Sequence, residues 1–555
     1  MVADRWHFLT ALALSCCIVL GGACDDGSGT DADADGDTDE DAGCEGNFLR
    51  PDGYCPGPEG CPDEGDGVLL AGAAKVSITP VIDEDPIWMA GFGNGRTASS
   101  INDPQWARAI VLQTNETTIA LVAVDCVGLF HEDVVEIRDL VSDLDIDYVA
   151  VTTTRTHGAQ DSIGIWGLDY SRTGMDLDAM NTLRAGAAEA VETAFGELRP
   201  TEVEHSSVRL RDQPGGVLRY VSDSRDPVII DDEIRLMRFV EVGADTTIAT
   251  MANVSIRADY SGSTNQALTS DIAHYVRDAI ENGAGPDDAW VDGVGGVAVF
   301  VAGSIGGMPT SAGIHAETWE GEEIGNEGSL ELAEVVGQQI GYFALQALTG
   351  DDVERVETAS LGFRYLEFPI HVENLAFLGA FELGLFPTRE TFCYDPYRPI
   401  GPGNWPHILS EIAVVEIGDT TLLLVPGHLD PSLFVGGYDD PYPYTPESEA
   451  IVTVENHGPD HAPDLGAAPD GPYLRDVALM RGGCDRVHLV GMANDEIGYF
   501  VPDFEFDLDD GAPYIRPADN GNHYEETFSL GPDAWGRVEH QLLGLLAWEP
   551  EEEGR

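Results

Sequence analysis

Four short apolar runs, Tyr148–Val151, Val297–Val301, Leu422–Val425 and Val487–Val490, each break off at a loop of glycine, polar and ionisable residues. The loops are Thr152 to Asp161, Gly303 to Ser311, Pro426 to Asp430 and Gly491 to Gly498. In open α/β sheets the carboxyl ends of the strands are fixed side by side, so the loops that leave them converge on one crevice. Functional side chains are expected in that crevice.

Between the strand-like runs stand helix candidates, Glu132 to Leu144, Asp176 to Leu198, Ser270 to Asn282, Ser329 to Leu348 and Pro532 to Trp548. In the first, Val134, Val135, Ile137, Leu140, Val141 and Leu144 recur at three- and four-residue spacing and predict one buried face. The alternation predicts an α/β fold of layered mixed β-sheets flanked by helices. The folded body is expected over 67–548, followed by an acidic tail at 549–555, and the body contains no internal repeat.

The chain carries 99 acidic residues against 28 basic ones, a formal net charge of -71, with Lys75 as its single lysine. Such a field repels nucleic acid and anionic headgroups, so no nucleic-acid partner is expected. Arg5 and His7 precede an apolar stretch, Phe8 to Leu20, that is too short to span a bilayer and reads as a signal peptide over 1–23. It ends Leu20-Gly21-Gly22-Ala23-Cys24, which resembles a lipobox despite glycine at Gly21. Cys24 would then carry the lipid and attach an exported bacterial envelope protein to its membrane. Residues 24–66 form the acidic, cysteine-containing linker, and its stretch from Asp25 to Gly43 cannot bury enough apolar surface to fold. Asp31, Asp33, Asp35 and Gly36 there mimic half of a calcium loop, but Ala42 stands where the bidentate glutamate belongs, so calcium binding is not expected.

Of nine cysteines, Cys16 and Cys17 leave with the signal and Cys24 carries the lipid, so six remain for an oxidising compartment. The close spacing of Cys44, Cys55 and Cys61 favours a small staple near the start. Cys126 lies in an apolar run and reads as a buried thiol.

Several segments then become recognisable. Ala71-Gly72-Ala73-Ala74-Lys75-Val76-Ser77-Ile78-Thr79-Pro80, Asp103-Pro104 with Arg108, and Val124-Asp125 resemble the start of the neutral/alkaline ceramidase family. Gly491-Met492-Ala493-Asn494-Asp495-Glu496-Ile497-Gly498-Tyr499, His523-Tyr524-Glu525-Glu526-Thr527 and Ser529-Leu530-Gly531-Pro532-Asp533 resemble its later part. The resemblance implies the family's layered α/β catalytic domain without its immunoglobulin-like C-terminal domain. It also implies an amidase in which water on zinc attacks the amide of a lipid.

Carried over position by position, the resemblance places other residues where the zinc chemistry belongs. Arg155 in Arg155-Thr156-His157 stands for the first zinc histidine, and Arg257 for the second. His428 after Pro426-Gly427 stands for a glutamate, and Glu496 for a tyrosine. Met308 lies near the reactive serine, with Ser304 and Ser311 as displaced substitutes. Arginine stays protonated and cannot ligate a metal. Glu496, Asp161 and Asp271 are candidates to balance the two guanidiniums. His157, His428 and Glu496 are the candidates for a shifted zinc set, doubtful on charge grounds. Two functions are therefore expected of one crevice. The first is a ceramidase-like hydrolase with His157, His428, Glu496 and Asp271 as catalytic residues. The second is a non-catalytic protein binding an anionic ligand through Arg155, Arg257 and Asp161. Trp166 and Tyr170 read first as core-packing aromatics and second as lining of a pocket mouth, His131 and His274 read as structural, and His457-Gly458-Pro459-Asp460-His461 reads as a polar loop because its proline prevents a helical face.

Overall fold

The computed structural model describes residue 44, residues 51–55 and residues 68–549, apart from short gaps and a longer one at 438–465. The signal segment, Cys24, the aspartate run of the linker, Cys61, Met308 and His457–His461 lie outside the described residues.

The body is built on two sheets packed face to face. The larger runs in the order Val297–Ala302, Thr247–Val254, Glu233–Glu241, Arg199–Arg209, Leu70–Ser77, Trp106–Thr114, Thr117–Val124, Tyr148–Thr153, with Glu354–Val356 also paired to Arg199–Arg209. The smaller runs Gly53–Cys55, Leu361–His371, His407–Ile417, Thr420–Leu424, Arg486–Val490. Pairing is antiparallel except between Thr247–Val254 and Val297–Ala302, Thr117–Val124 and Tyr148–Thr153, and Thr420–Leu424 and Arg486–Val490. The sheets are therefore mixed, as expected. Strands Tyr148–Thr153, Thr247–Val254 and Thr420–Leu424 are buried at every residue, which is why Tyr148–Val151 and Leu422–Val425 read as continuous apolar runs and not as alternating ones.

Side-chain alternation divides the layers. Along Trp106–Thr114, Ile110 and Leu112 face the second sheet, where Phe363, Val415 and Leu422 meet them, while Ala107, Ala109 and Val111 face the helix Leu177–Gly196. Helices Ile272–Asn282 and Leu330–Leu348 cover the other half of the larger sheet, and Ala534–Ala547 covers the smaller one. The result is four layers, helix, sheet, sheet, helix. Helix starts follow their caps: Asp176 accepts from the amide of Ala179 and Ser329 from that of Leu332. The first helix differs from expectation. It spans His131–Leu140, stops short of Leu144, and leaves Val135 and Leu140 exposed, so of the six apolar positions Val134, Ile137 and the following Val141 are buried, beside His131 and Asp133.

Residues that carried the family resemblance form the frame behind the crevice. The Asp125 carboxylate takes both ends of the Arg277 guanidinium at 2.8 and 2.9 Å, the Ser270 hydroxyl at 2.7 Å and the Trp106 amide at 2.8 Å. It thereby locks the end of Thr117–Val124 to the start of helix Ile272–Asn282. The expected local cysteine staple is not what forms at Cys44: it bonds Cys393, 349 residues away. Cys55 is also disulfide-bonded, and Cys126 and Cys484 are buried free thiols. Among the described residues no helix is long and apolar enough to cross a membrane.

Candidate functional site

The two sheets are stitched together at their carboxyl ends. The Asn494 amide nitrogen donates to Val151 O at 2.7 Å, its side chain accepts from Val151 N at 3.0 Å, and Thr152 Oγ1 donates to Gly491 O at 2.8 Å. Gly491 N also donates to Ala302 O, and Asn253 Nδ2 to Leu489 O. Loops from strands of both sheets are thus delivered to one point, the crevice that the broken apolar runs foretold.

Arg155 occupies its centre. Its backbone is left-handed, φ 61°, a conformation that costs a bulky side chain about 1–3 kcal/mol. That turn sends the buried guanidinium between two imidazoles. Nη1 donates to His157 Nε2 at 2.7 Å, and Nε donates to His428 Nε2. Both rings are held well below the usual histidine range, first by burial and then by the guanidiniums of Arg155 and Arg257. They are neutral, so each offers a lone pair at Nε2 to Arg155. His428 then carries its proton on Nδ1, which faces Gly498 O and Glu496 Oε1, each at 3.3 Å, and its ring stacks on Tyr499 with centroids 4.3 Å apart. His157 lies under Gly91, where φ is 76° and a Cβ would stand 2.4 Å from the ring. Only glycine fits there.

Glu496 closes the group. Burial raises its carboxyl from 4.5 to about 8, with Asp495 adding to the rise and Arg155 opposing it. Its Oε1 accepts from Gly498 N, while Oε2 is buried without a hydrogen-bond partner among the described residues. A group protonated when folded and ionised when unfolded stabilises the fold below pH 4.5, and that contribution is lost as pH rises through about 8. Glu496→Gln is expected to flatten this dependence. Thermal unfolding at pH 5 and pH 9 should show a smaller drop in Tm for the variant than for the parent, and equal drops would contradict the assignment.

Arg257 is buried beside Asp259, with Nε 3.7 Å from Oδ2, and lies in the field of Tyr499, Tyr524 and Glu525. It acts on both imidazoles through space but does not line the cleft. The two aspartates expected to balance the arginines are spent on the backbone. Asp161 accepts from the amides of Ile163, Gly164 and Trp166, and Asp271 from those of Tyr260, Ser261 and Ile272. The first shapes a turn and the second caps a helix, so neither is placed to act on a ligand. Ser304 is engaged with Ser255 and Asp231.

From this group a cleft opens outward, lined by Phe130, Ile163, Ile165, Trp166, Phe377, Phe381 and Phe386. Its polar lining comes from Arg155, His428, Glu496, Tyr499, Tyr524 and Arg389, the last held at 2.5 and 2.8 Å by Asp495. Trp166 lines the cleft as one reading foresaw, whereas Tyr170 does not. Phe377, Phe381 and Phe386 were missed in the sequence. The signal was the dense apolar stretch Leu375 to Phe386, with Phe377 and Phe381 one helical turn apart on Leu375–Glu382.

Zinc does not fit this arrangement. The imidazole nitrogens that would ligate it accept hydrogen bonds from Arg155, whose charge stands in the space a cation would need. Among the described residues one other group, His131, Glu367 and Glu411, brings ligand atoms within 4.8 Å of one another. There, however, Arg138 holds both Glu411 oxygens, at 2.5 and 2.8 Å, and Tyr148 donates to one at 2.7 Å. The positive charge is already supplied.

Fold and site together define a four-layer α/β protein with an apolar cleft ending in a buried polar cluster at the confluence of two sheets. No protein-family model and no curated protein matches the sequence. Solved structures do. The chain is similar to neutral ceramidase from Pseudomonas aeruginosa at a TM-score of 0.59 and 16% identity, over 87% of this chain and 74% of that one. It is also similar to a ceramidase complexed with C2, at a TM-score of 0.57 and 15% identity, over 87% and 75%. The likeness establishes the ceramidase fold.

Proposed function

We propose that this protein takes a single-chain lipid, a fatty acid or the acyl part of a lipid amide, into the cleft and holds its head group against Arg155. One observation carries the reading: a cleft walled by aromatic and branched apolar side chains ends at a fixed guanidinium. The walls suit an acyl chain, and a guanidinium suits a carboxylate or a polarised carbonyl. Glu496 does not repel an anionic head, because below about pH 8 it is neutral, and its partnerless Oε2 can donate to the head-group oxygen. The chain is an exported envelope lipoprotein in this reading, acylated at Cys24, and nucleic acid is excluded by its charge.

Amide hydrolysis is a second reading, favoured by the contact of Glu496 with His428. A carboxyl held protonated beside an imidazole held neutral is an acid and a base together. Arg155 would turn its Nε–H from His428 to the carbonyl it polarises, His428 Nε2, freed of that donor, would take a proton from the attacking water, and Glu496 would give one to the departing amine.

Purified protein mixed with a fluorescent long-chain fatty acid and with an N-acyl sphingoid base separates the readings. Saturable micromolar binding with no amine release is expected. Amine release that His428→Ala abolishes would establish hydrolysis instead. Neither binding nor release would contradict both.

A further inference from the structure

A hairpin-like turn over 88–97 lies against the loop that carries Arg155 and His157. Trp88 pairs with Thr97 across its base, Met89 pairs with Gln160, and Ala90 N donates to Ala159 O at 3.0 Å. At its tip Gly91, Phe92, Gly93 and Gly95 all have positive φ. The glycines adopt that region freely, whereas Phe92, at φ 58°, is strained by it. Among the described residues no hydrogen bond of the Phe92 backbone offsets the strain. A bulky residue kept in such a turn directs attention to what its side chain does.

The contacts of that side chain lead to the polar cluster. The Phe92 ring meets the His157 ring edge to face, with centroids 4.8 Å apart and planes at 83°. The Arg96 guanidinium lies over the Phe92 ring at 5.3 Å, and its Nη2 donates to the carbonyls of Ala90 and His157. Phe92 is half-buried and does not line the cleft, so a head group held there is out of its reach.

His157 needs this support. An imidazole is ordinarily oriented through both nitrogens, the one away from the site donating to a carbonyl or carboxylate. Here Nε2 accepts from Arg155 at 2.7 Å, while Nδ1, turned toward Gly91, is buried without a hydrogen-bond partner among the described residues. The plane of the ring is therefore left to packing, which Gly91 and Phe92 supply. Were the ring to turn, Arg155 would lose one of the two acceptors that hold its fork.

We infer that Phe92 is a positioning residue of the head-group site: its ring, clamped between Arg96 and His157, fixes the imidazole and through it the guanidinium of Arg155. The inference rests on Arg155 as the group that holds the head, and it adds a residue outside the cleft that sets the geometry there.

The test uses the full-length protein labelled with nitrogen-15 histidine, with the signals of His157 assigned by their loss in His157→Gln. Two quantities are read at one pH, the nitrogen-15 shift of His157 Nε2, which reports whether Arg155 donates to it, and the affinity for a fluorescent long-chain fatty acid. In Phe92→Gly, which keeps the left-handed backbone and removes the ring, Nε2 should move toward the shift of an imidazole nitrogen that accepts no hydrogen bond. Affinity should fall about tenfold, the cost of a less preorganised fork. Phe92→Tyr, which keeps the ring, should restore both. A merely structural role would lower Tm and leave both quantities as in the parent, and that result overturns the inference. So does a change in only one of them while the parent binds the fatty acid, or a failure of Phe92→Tyr to restore them. A parent that binds no fatty acid, with Nε2 displaced in Phe92→Gly and restored in Phe92→Tyr, upholds the positioning of Arg155 and overturns its role as the head-group holder. Should Phe92→Gly not fold, Phe92→Leu, which keeps apolar bulk without the flat ring, is read in the same way.

Discussion

Replacing Arg155 with asparagine is expected to weaken fatty-acid binding about 100-fold or more, with the fold intact. The size follows from what the guanidinium does: it is the cation at the closed end of the cleft, and removing one partner of a buried charged contact costs about 2–5 kcal/mol. Asparagine keeps the fold because it tolerates the left-handed backbone at φ 61° better than other residues do. The imidazoles that Arg155 bridges are neutral acceptors, and losing their donor leaves no buried charge uncompensated. Arg155→Lys should recover only part of the affinity, since one ammonium cannot span two rings and a carboxylate as a planar fork does. Isothermal titration with a long-chain fatty acid measures both. Unchanged affinity in the asparagine variant would remove Arg155 from the site.

The largest effect on stability is expected at Arg225, which the sequence did not single out. Its guanidinium is buried among three glutamates: Nε lies 3.3 Å from Glu505, Nη1 3.0 Å from Glu525 and Nη2 2.9 Å from Glu526. His523 holds Glu526 at 2.8 Å, and the field of Asp430 reaches both Glu505 and Asp223. Burial opposes the cation, yet the three glutamates together raise it well above its ordinary value. Arg225→Met leaves these carboxyls without their counter-charge and should cost about 3–5 kcal/mol. The loss has a pH signature. Glu505 and Glu525, both lifted to about 7 chiefly by burial, can take up protons to escape repulsion. The variant should be closer to the parent at pH 5.5 and far less stable at pH 8. Equal Tm values for the two proteins at pH 8 would contradict the account.

Much of the layout was legible because its physics is local. Runs such as Leu422–Val425, in a strand buried on both faces, announce themselves as unbroken apolar stretches, and their abrupt polar ends mark where a sheet delivers its loops. That the loops carrying Arg155, His157, His428 and Glu496 converge follows from those runs, whereas these four residues were singled out by the family resemblance. What the residues do once there was less legible. Asp161 and Asp271 have the right charge to balance arginines, but a carboxylate beside free backbone amides binds those first, and the turn that exposes the amides is a property of the fold. Arg225 and its glutamates come from segments far apart in the chain, and no spacing rule joins them. Cys44 was read with its near neighbours, whereas the pairing was decided by where the loop carrying Cys393 lies.

The account depends on a guanidinium standing where a metal would be bound. Elemental analysis of the full-length protein, purified without chelator and then incubated with zinc and desalted, tests this most directly. Far less than one zinc per chain is expected, and Arg155→His, which replaces the cation with a ligand, should retain more. Stoichiometric zinc in the parent that His428→Ala removes would show that Arg155 yields its place to the ion, and the account would be wrong.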